Sequence, residues 1–326
     1  MSARLPVGVI GVGALGSHHA RHLAALPGVE LVGVYDIVPS RATEVAAKAN
    51  TTPFRELDRL LARVKAVTVA VPTPVHADVG VRALEAGVAV LMEKPLASSL
   101  DDADRLVEAA QRHKVILQVG HVERFNRAIR AAMPYLDEPR YMESMRLAPF
   151  QPRGTDVAVI LDLMIHDLDL VLHLVGGVPA TDVRASGVAV LSPYPDMANA
   201  RVEFGNGAVA NVTASRMARD RIRKLRIFET SGYFSLDLAT GTGEFMRLRP
   251  GWRPSPGLKL EDIVERVVLD APEADALRLE LESFVSGVRG ERRTGVSGEE
   301  GRSALALALQ VAEAVSRSPV TIAPPP

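Results

Sequence analysis

A glycine-rich turn close to the N-terminus constrains the fold of this chain more than any other feature. The turn follows an apolar run over residues 6–10, precedes a stretch with helical spacing over residues 17–26, and reads Gly11-Val12-Gly13-Ala14-Leu15-Gly16. In such a turn the first glycine permits a tight bend, the second lets a pyrophosphate approach the backbone, and the third allows the helix to pack closely on the strand. The sequence therefore predicts a strand, turn and helix that hold a dinucleotide, with its phosphates at the N-terminus of the helix.

An acidic residue at the end of the next predicted strand indicates which dinucleotide is bound. Asp36 closes the strand over residues 29–36 and lies 20 residues beyond Gly16, where a carboxylate accepts hydrogen bonds from the adenosine ribose. Because its charge repels a 2′-phosphate, we expect NAD and not NADP. Arg41 keeps an alternative open, since its guanidinium could stack on adenine or meet a phosphate. A turn that binds nothing and an FAD site are the other interpretations of the glycine motif.

Alternating strands and helices continue the pattern as far as residue 120. The further predicted strands cover residues 67–71, 88–92 and 115–119, and the predicted helices cover residues 40–50, 76–86 and 101–113. Strands that alternate with helices at this spacing predict a doubly wound parallel sheet of the α/β class, a Rossmann fold. We therefore assign residues 1–120 to an NAD-binding domain.

The pattern changes after residue 120. A long apolar-rich helix is predicted over residues 155–174, and Gly205-Asn206-Gly207 predicts a hairpin turn. Period-two runs without intervening helices cover residues 183–190, 200–204, 208–215, 224–229 and 233–237. These features predict an α+β domain over residues 121–326 with a largely antiparallel open sheet, for substrate binding and oligomerisation. Its C-terminal helices are expected to pack back on the body.

Composition and charge exclude several classes of partner. The chain has 38 Lys and Arg against 39 Asp and Glu, a net charge of -1, so no electrostatic attraction to nucleic acid or to a membrane surface is expected. No stretch is apolar for long enough to form a transmembrane helix, and the N-terminus has no features of a signal peptide. The absence of cysteine excludes disulfides, thiolate zinc sites and thiol nucleophiles. We therefore expect a cytoplasmic protein that acts on a small molecule.

Two groups of polar residues lie where catalytic side chains would be needed. Lys94 follows the predicted strand 88–92, at the edge where doubly wound sheets bind ligands, and could hold a substrate hydroxyl or accept a proton; otherwise it is a solvated surface lysine. Asp162 and His166 are four residues apart and so share a helix face, where a carboxylate can orient a basic imidazole. The pair could instead be half of a metal site or a satisfied core pair. No further ligands accompany it, so we expect no metal.

A basic cluster in the C-terminal half has two interpretations. It is a solvated or subunit-facing surface, or some of its members pair with a substrate diphosphate, since arginine forks suit phosphate oxygens. Its members are Arg216, Arg219, Arg221, Arg223, Lys224 and Arg226.

Taken together, the motifs resemble the glucose–fructose oxidoreductase, inositol dehydrogenase and rhizopine catabolism family, Gfo/Idh/MocA. The resemblance covers nearly the whole chain and rests on the glycine motif, Val71-Pro72-Thr73-Pro74-Val75-His76, Glu93-Lys94-Pro95, Gly120-His121-Val122-Glu123-Arg124-Phe125-Asn126, and Asp162 with His166. It implies that Lys94 and His166 flank the reacting carbinol, with His166 the favoured base and Asp162 behind it. Which of Lys94 and His166 takes the proton stays open.

The resemblance also implies two sets of binding residues. We expect the cofactor to contact Gly11, Gly13, Ala14, Leu15, Gly16, Asp36, Arg41, Pro72, Thr73, His76, Glu93 and Lys94. We expect the substrate to contact Lys94, Glu123, Arg124, Asn126, Arg153, Asp162 and His166. Arg124 and Asn126 could equally join the two domains to each other.

Residues 120–126 and 196–201 resemble the branch of the family that acts on nucleotide sugars, although Arg127 replaces the proline that is usual there. This resemblance implies an NAD-dependent oxidoreductase that oxidises the 3-hydroxyl of UDP-N-acetylglucosamine to the 3-keto nucleotide sugar. It further implies a homodimer or homotetramer that supplies a partner aminotransferase in lipid A biosynthesis. The alternatives are a dehydrogenase of a free sugar or polyol such as inositol, and a non-catalytic regulator that senses the dinucleotide.

Overall fold

The computed structural model describes residues 4–151, 157–253, 255–291 and 295–317. The chain divides into two compact units, of which the first contains Met1–Val122 and Asp275–Leu305 and the second contains Glu123–Ala274 and Ala306–Pro326. The predicted domain boundary at residue 120 stays a prediction. The division into units differs from it chiefly at residues 275–305, which belong to the first unit.

The described residues form fifteen strands and ten α-helices. The strands are β1 (Leu5–Ile10), β2 (Val29–Tyr35), β3 (Thr52–Phe54), β4 (Ala66–Val69), β5 (Ala89–Glu93), β6 (Leu117–Gly120), β7 (Tyr141–Leu147), β8 (Ala180–Val188), β9 (Met197–Phe204), β10 (Val209–Ser215), β11 (Ile222–Glu229), β12 (Gly232–Asp237), β13 (Thr242–Leu248), β14 (Val264–Leu269) and β15 (Val296–Ser297). The helices are α1 (Ala14–Ala25), α2 (Pro39–Ala49), α3 (Leu57–Leu61), α4 (His76–Glu85), α5 (Leu100–His113), α6 (Arg127–Ala132), α7 (Ile165–Leu174), α8 (Leu260–Ile263), α9 (Ala276–Val288) and α10 (Gly298–Arg317). None of the described helices combines the length and the apolar composition needed to cross a membrane.

The described part of the first unit is built on a seven-stranded sheet in the order β15-β6-β5-β4-β1-β2-β3. Strands β1 to β6 run parallel to their neighbours, and β15 pairs antiparallel with β6. The predicted doubly wound parallel sheet is therefore confirmed. The strand order reverses between β1 and β4, and ligands of such sheets bind at the carboxyl ends of the strands at that point.

Helix α9 belongs to the first unit because its apolar stripe completes the core of that unit. Leu281, Phe284 and Val285 follow helical spacing and are buried in the same cluster as Val34 and Leu23. Burying such a stripe against apolar neighbours removes it from water, which is the main favourable contribution to docking a helix.

The described part of the second unit forms an eight-stranded sheet in the order β14-β13-β12-β11-β7-β10-β9-β8. The largely antiparallel sheet is confirmed, with the difference that β7 and β10 pair in parallel at its centre. The predicted hairpin is confirmed at the turn Gly205–Gly207, where the Phe204 N–H donates to the Ala208 carbonyl at 2.9 Å.

Several elements of the second unit differ from the sequence prediction, among them the strands β13 and β14, which were not predicted. Strand β7 was not predicted, because Ser144 and Arg146 occupy buried positions on it and interrupt the apolar alternation. In the helix predicted over residues 155–174, the described part begins as a π-helix over Ile160–Met164 and continues as α7; residues 155 and 156 lie outside the described residues.

Candidate active site

The glycine turn of the first unit has the geometry that its three glycines predict. Gly11 has φ +80°, and a Cβ there would lie 2.7 Å from the Ala70 carbonyl oxygen. A Cβ on Gly16 would lie 1.8 Å from the Gly11 carbonyl oxygen, so this glycine is required for packing. A Cβ on Gly13 would meet no described atom within 4 Å, which leaves room for a pyrophosphate to approach the backbone.

Helix α1 begins at Ala14, three residues earlier than predicted, because Gly13 already serves as its N-cap. Gly13 has no side chain to cap the first turn, so the amides of Ala14, Leu15 and Gly16 remain suited to an anion at the positive end of the helix. The turn therefore fits the diphosphate of a dinucleotide.

Asp36 is held beside this turn by backbone amides. Its carboxylate is only 6% exposed and accepts hydrogen bonds from the Val12 and Val38 N–H groups, each at 2.9 Å. The Arg41 guanidinium lies 3.3 Å from Asp36 Oδ1 and is about half exposed. A carboxylate fixed in this way at the end of β2 is oriented to accept ribose hydroxyls.

The loop after β4 is joined to the loop that carries Lys94 through His76. The buried His76 ring lies with Nδ1 3.0 Å from the Pro95 carbonyl oxygen and Nε2 2.9 Å from the Val71 carbonyl oxygen. Burial lowers the pKa of His76, although these hydrogen bonds favour the charged form. Pro72 is exposed and Thr73 half-buried at the start of the same loop. His76 therefore positions two loops, and its predicted contact with the cofactor stays a prediction.

Lys94 lies at the carboxyl end of β5 and is half-buried. The preceding Glu93 is 8% exposed, and its Oε2 accepts a hydrogen bond from the Lys94 N–H at 3.2 Å. Glu93 Oε1 lies 3.0 Å from Nε2 of His19, a fully buried residue of α1. This contact connects the helix of the glycine turn to the segment that carries Lys94.

Asp162 and His166 are both half-buried and lie on either side of a change in helix type. Asp162 belongs to the π-helix Ile160–Met164, and His166 to the first turn of α7. Single π-turns within helices are rare and are frequent at functional sites. Within the described ranges, no group of three or more histidine or carboxylate side chains could hold a metal ion.

A buried charged network lies next to His166 in the second unit. Arg146 is 3% exposed and donates to Asp167 from Nε at 2.6 Å and from Nη2 at 3.3 Å, and to Glu123 from Nη1 at 2.8 Å. Asp167 also accepts from the Ser144 hydroxyl at 2.6 Å. Because Asp167 follows His166 in the chain, this network fixes the start of α7 on the sheet.

The residues predicted from the 120–126 motif are held by partners within the second unit. Arg124 forms a two-pronged ion pair with Asp169, at 2.8 and 2.6 Å. The Asn126 side chain caps α6 by accepting from the Ala128 N–H at 3.0 Å and donates to Glu123 at 3.0 Å. These contacts indicate a supporting role, and direct substrate contact stays a prediction. Arg153 lies outside the described residues.

Comparison with known proteins identifies the family of the chain. Residues 5–121 match the oxidoreductase family with an NAD-binding Rossmann fold. Residues 148–322 match the C-terminal alpha/beta domain of the same family. The chain belongs to the Gfo/Idh/MocA oxidoreductase family.

Its relatives within this family include a nucleotide-sugar enzyme and inositol dehydrogenases. UDP-N-acetylglucosamine 3-dehydrogenase of Acidithiobacillus ferrooxidans is 43% identical over 94% of this chain and 96% of that protein. A solved structure of the Acidithiobacillus enzyme matches with a TM-score of 0.89 and 41% identity, covering 96% of this chain and 98% of that one. Inositol 2-dehydrogenase 2 of Saccharopolyspora erythraea is 30% identical over 98% of this chain and 96% of that protein.

These comparisons confirm the predicted Gfo/Idh/MocA membership, the NAD cofactor and the assignment as an NAD-dependent oxidoreductase of CH–OH groups. The roles of the individual site residues stay predictions. Sequence reasoning did not find Arg146 and Asp167, although a signal was present: a charged residue within an apolar strand or helix has to be paired or functional.

Proposed function

We propose that this protein oxidises the 3-hydroxyl of UDP-N-acetylglucosamine with NAD to give the 3-keto nucleotide sugar. The observation that carries the proposal is the 43% identity to the Acidithiobacillus enzyme of that name across 94% of the chain. Identity over nearly the full length covers the second unit as well as the NAD-binding one.

When bound, NAD would supply the acceptor for the hydride that leaves C3 of the sugar. The protein must accept the hydroxyl proton, and we assign this step to His166 with Asp162 supporting the imidazole. Lys94 holds the same hydroxyl and is the other candidate acceptor. The products are the ketone, the reduced cofactor and one proton on the base, so two electrons leave with the hydride and the charges balance.

We also propose the finer features that the resemblance implies. Glu93, Pro72, Thr73 and His76 shape the cofactor site next to Lys94, and Glu123, Arg124, Asn126 and Arg153 serve the substrate. The enzyme is proposed to act in the cytoplasm as a homodimer or homotetramer and to supply an aminotransferase in lipid A biosynthesis. The proposed division is an NAD-binding domain over residues 1–120 and a second domain over residues 121–326.

A free polyol is the second candidate substrate, supported by the relatives named as inositol dehydrogenases. A panel assay separates the two candidates. The purified protein is incubated with NAD and UDP-N-acetylglucosamine, UDP-N-acetylgalactosamine, glucose or inositol, and reduction is followed at about 340 nm. A partner aminotransferase with glutamate draws off the ketone if the equilibrium is unfavourable.

We expect reduction with the UDP-sugar alone. His166→Ala and Lys94→Ala should each lower kcat about 100- to 10,000-fold, while His113→Ala, an exposed residue at the end of α5, should not change it. Turnover of inositol but not of the UDP-sugar would refute the proposed substrate and leave the family assignment intact. Binding of NAD without turnover of any alcohol would favour a dinucleotide-sensing regulator.

A further inference from the structure

The basic cluster does not form one surface in the described structure. Arg216 is buried and lies 3.2 Å from Asp196. Arg226 of β11 lies 3.7 Å from Glu143 of β7. Arg223 is paired in register with the buried Arg146 of β7, so these two side chains share the sheet face that carries the charged network. Because side chains alternate along a strand, Arg226 lies on the opposite face.

Arg223 has few hydrogen bonds for a guanidinium in this position. Its side chain is 37% exposed, and its one hydrogen bond to a described residue runs from Nη1 to Glu123 Oε1 at 3.3 Å. That oxygen already accepts from Arg146 at 2.8 Å. A guanidinium carries five N–H donors in a planar fork, so most of the donors of Arg223 remain available to a ligand.

The surroundings also disfavour the charge of Arg223. Burial lowers the pKa of its guanidinium, and repulsion from Arg146 lowers the pKa further, against the attraction of Glu123. Arg146 in contrast makes three hydrogen bonds to two carboxylates. Arg146 bonds Asp167 and shares Glu123 with Arg223, so the carboxylate that Arg223 bonds is already engaged. This arrangement favours a further anionic ligand at the remaining N–H donors of Arg223.

We propose that Arg223 binds a phosphate group of the substrate, the diphosphate of a nucleotide sugar, and thereby selects nucleotide sugars over free sugars. Arginine suits this ligand because two parallel N–H groups match two phosphate oxygens. The exposed Arg221 lies two residues before it in the chain and adds positive charge near Arg223. Glu123 and Arg146 are positioning residues that hold the guanidinium of Arg223.

The position of Arg223 fits this role, because contacts connect it to the proposed base. Its neighbour Arg146 hydrogen-bonds Asp167, and Asp167 directly follows His166 in the chain. The inference rests on the proposed nucleotide-sugar substrate. It adds the residue that recognises the phosphates. The family motifs do not assign this role, and it differs from the roles proposed for His166 and Lys94.

The test compares Arg223→Gln and Arg223→Lys with Arg226→Gln, a matched change on the same strand that faces the other side of the sheet. For each, we would measure the KM for UDP-N-acetylglucosamine, kcat, the Kd values of UDP, uridine and NAD, and Tm. We expect Arg223→Gln to raise the KM and the Kd of UDP about 10- to 100-fold, because a charge-assisted hydrogen bond is lost. The Kd of uridine, the Kd of NAD and the kcat should change little, and Arg223→Lys should recover part of the loss.

Stability distinguishes a binding role from a structural one. Because the charge of Arg223 is disfavoured where it lies, its removal should leave Tm unchanged or raise it. A clear fall in Tm for Arg223→Gln, or an unchanged Kd for UDP, would overturn the inference while UDP-N-acetylglucosamine is still oxidised. If the unaltered protein neither binds UDP nor oxidises the UDP-sugar, the proposed function fails first and the inference fails with it.

Discussion

The charged network around Arg146 allows a quantitative prediction about stability. Replacing Arg146 by methionine keeps most of the apolar stem but removes the three hydrogen bonds to Asp167 and Glu123. The two carboxylates, 2% and 6% exposed, then remain buried without their main counter-charge. Breaking a buried pair from one side costs about 3–5 kcal/mol, because the remaining charge is not compensated.

For a unit of this size, each kcal/mol lowers Tm by about 2–4 °C, so Arg146→Met should lower Tm by roughly 6–20 °C. Differential scanning fluorimetry measures this directly. The control is Arg226→Met, since its ion pair with Glu143 is half-exposed and 3.7 Å long and such pairs contribute about 0–1 kcal/mol.

A double variant tests the reason for the loss. In Arg146→Met, changing Asp167 to asparagine removes one uncompensated charge and leaves a partner for the Ser144 hydroxyl. We therefore expect Asp167→Asn to raise the Tm of Arg146→Met although it lowers the Tm of the unaltered protein. If the two losses simply add, or if Arg146→Met behaves like Arg226→Met, the account of a buried compensated network is refuted.

Three further predictions follow from the first unit. Gly13→Ala should weaken NAD binding at least about 10-fold without lowering the Tm of the NAD-free protein, because a Cβ there meets no described atom within 4 Å. Gly16→Ala should lower that Tm, because a Cβ there would collide with the Gly11 carbonyl. Titration with NAD and fluorimetry of the NAD-free protein distinguish the two effects. Asp36→Ser should weaken NAD binding about 10- to 100-fold. It should also reduce the preference of the enzyme for NAD over NADP, because Arg41 loses its carboxylate partner. An unchanged ratio of kcat/KM with NAD to kcat/KM with NADP would contradict this. Burial lowers the pKa of His76, so the unfolded chain binds its proton more readily and stability falls as pH drops below the ordinary value of about 6.5. The fall in Tm between pH 7 and pH 5 should therefore be smaller in His76→Gln, and an equal fall would refute the assignment to this residue.

The fold of the first unit could be predicted because each of its signals is local. Apolar runs mark the buried parallel strands, and the glycine motif lies between a strand and a helix, where a Cβ on Gly16 would collide with the nearby Gly11 carbonyl. The start of α1 was predicted three residues late because a glycine-rich run is normally a turn signal, while here Gly13 itself caps the helix. Helix α9 was predicted as a helix, but no local pattern indicates which core its stripe joins.

The second unit was less predictable because its polar residues are paired over long distances in sequence. Arg146 bonds Glu123, 23 positions earlier, and Asp167, 21 positions later. Only the three-dimensional pairing explains why a strand can carry an arginine on its buried face. Glu123 is the shared acceptor of Arg146 and Arg223, a pairing that no local pattern indicates, and its predicted contact with the substrate stays a prediction.

The π-helix Ile160–Met164 makes this part of the chain sensitive to its length as well as to its composition. A π-turn holds one residue more than a regular α-helical turn, and that residue sets the rotation of Asp162 about the helix axis relative to His166. Deleting one residue between Asp162 and His166 would let the segment close as regular α-helix and would change the angle between these two side chains about the helix axis. Engineering of this segment therefore has to conserve the number of residues as well as Asp162 and the buried Ile160 and Met164.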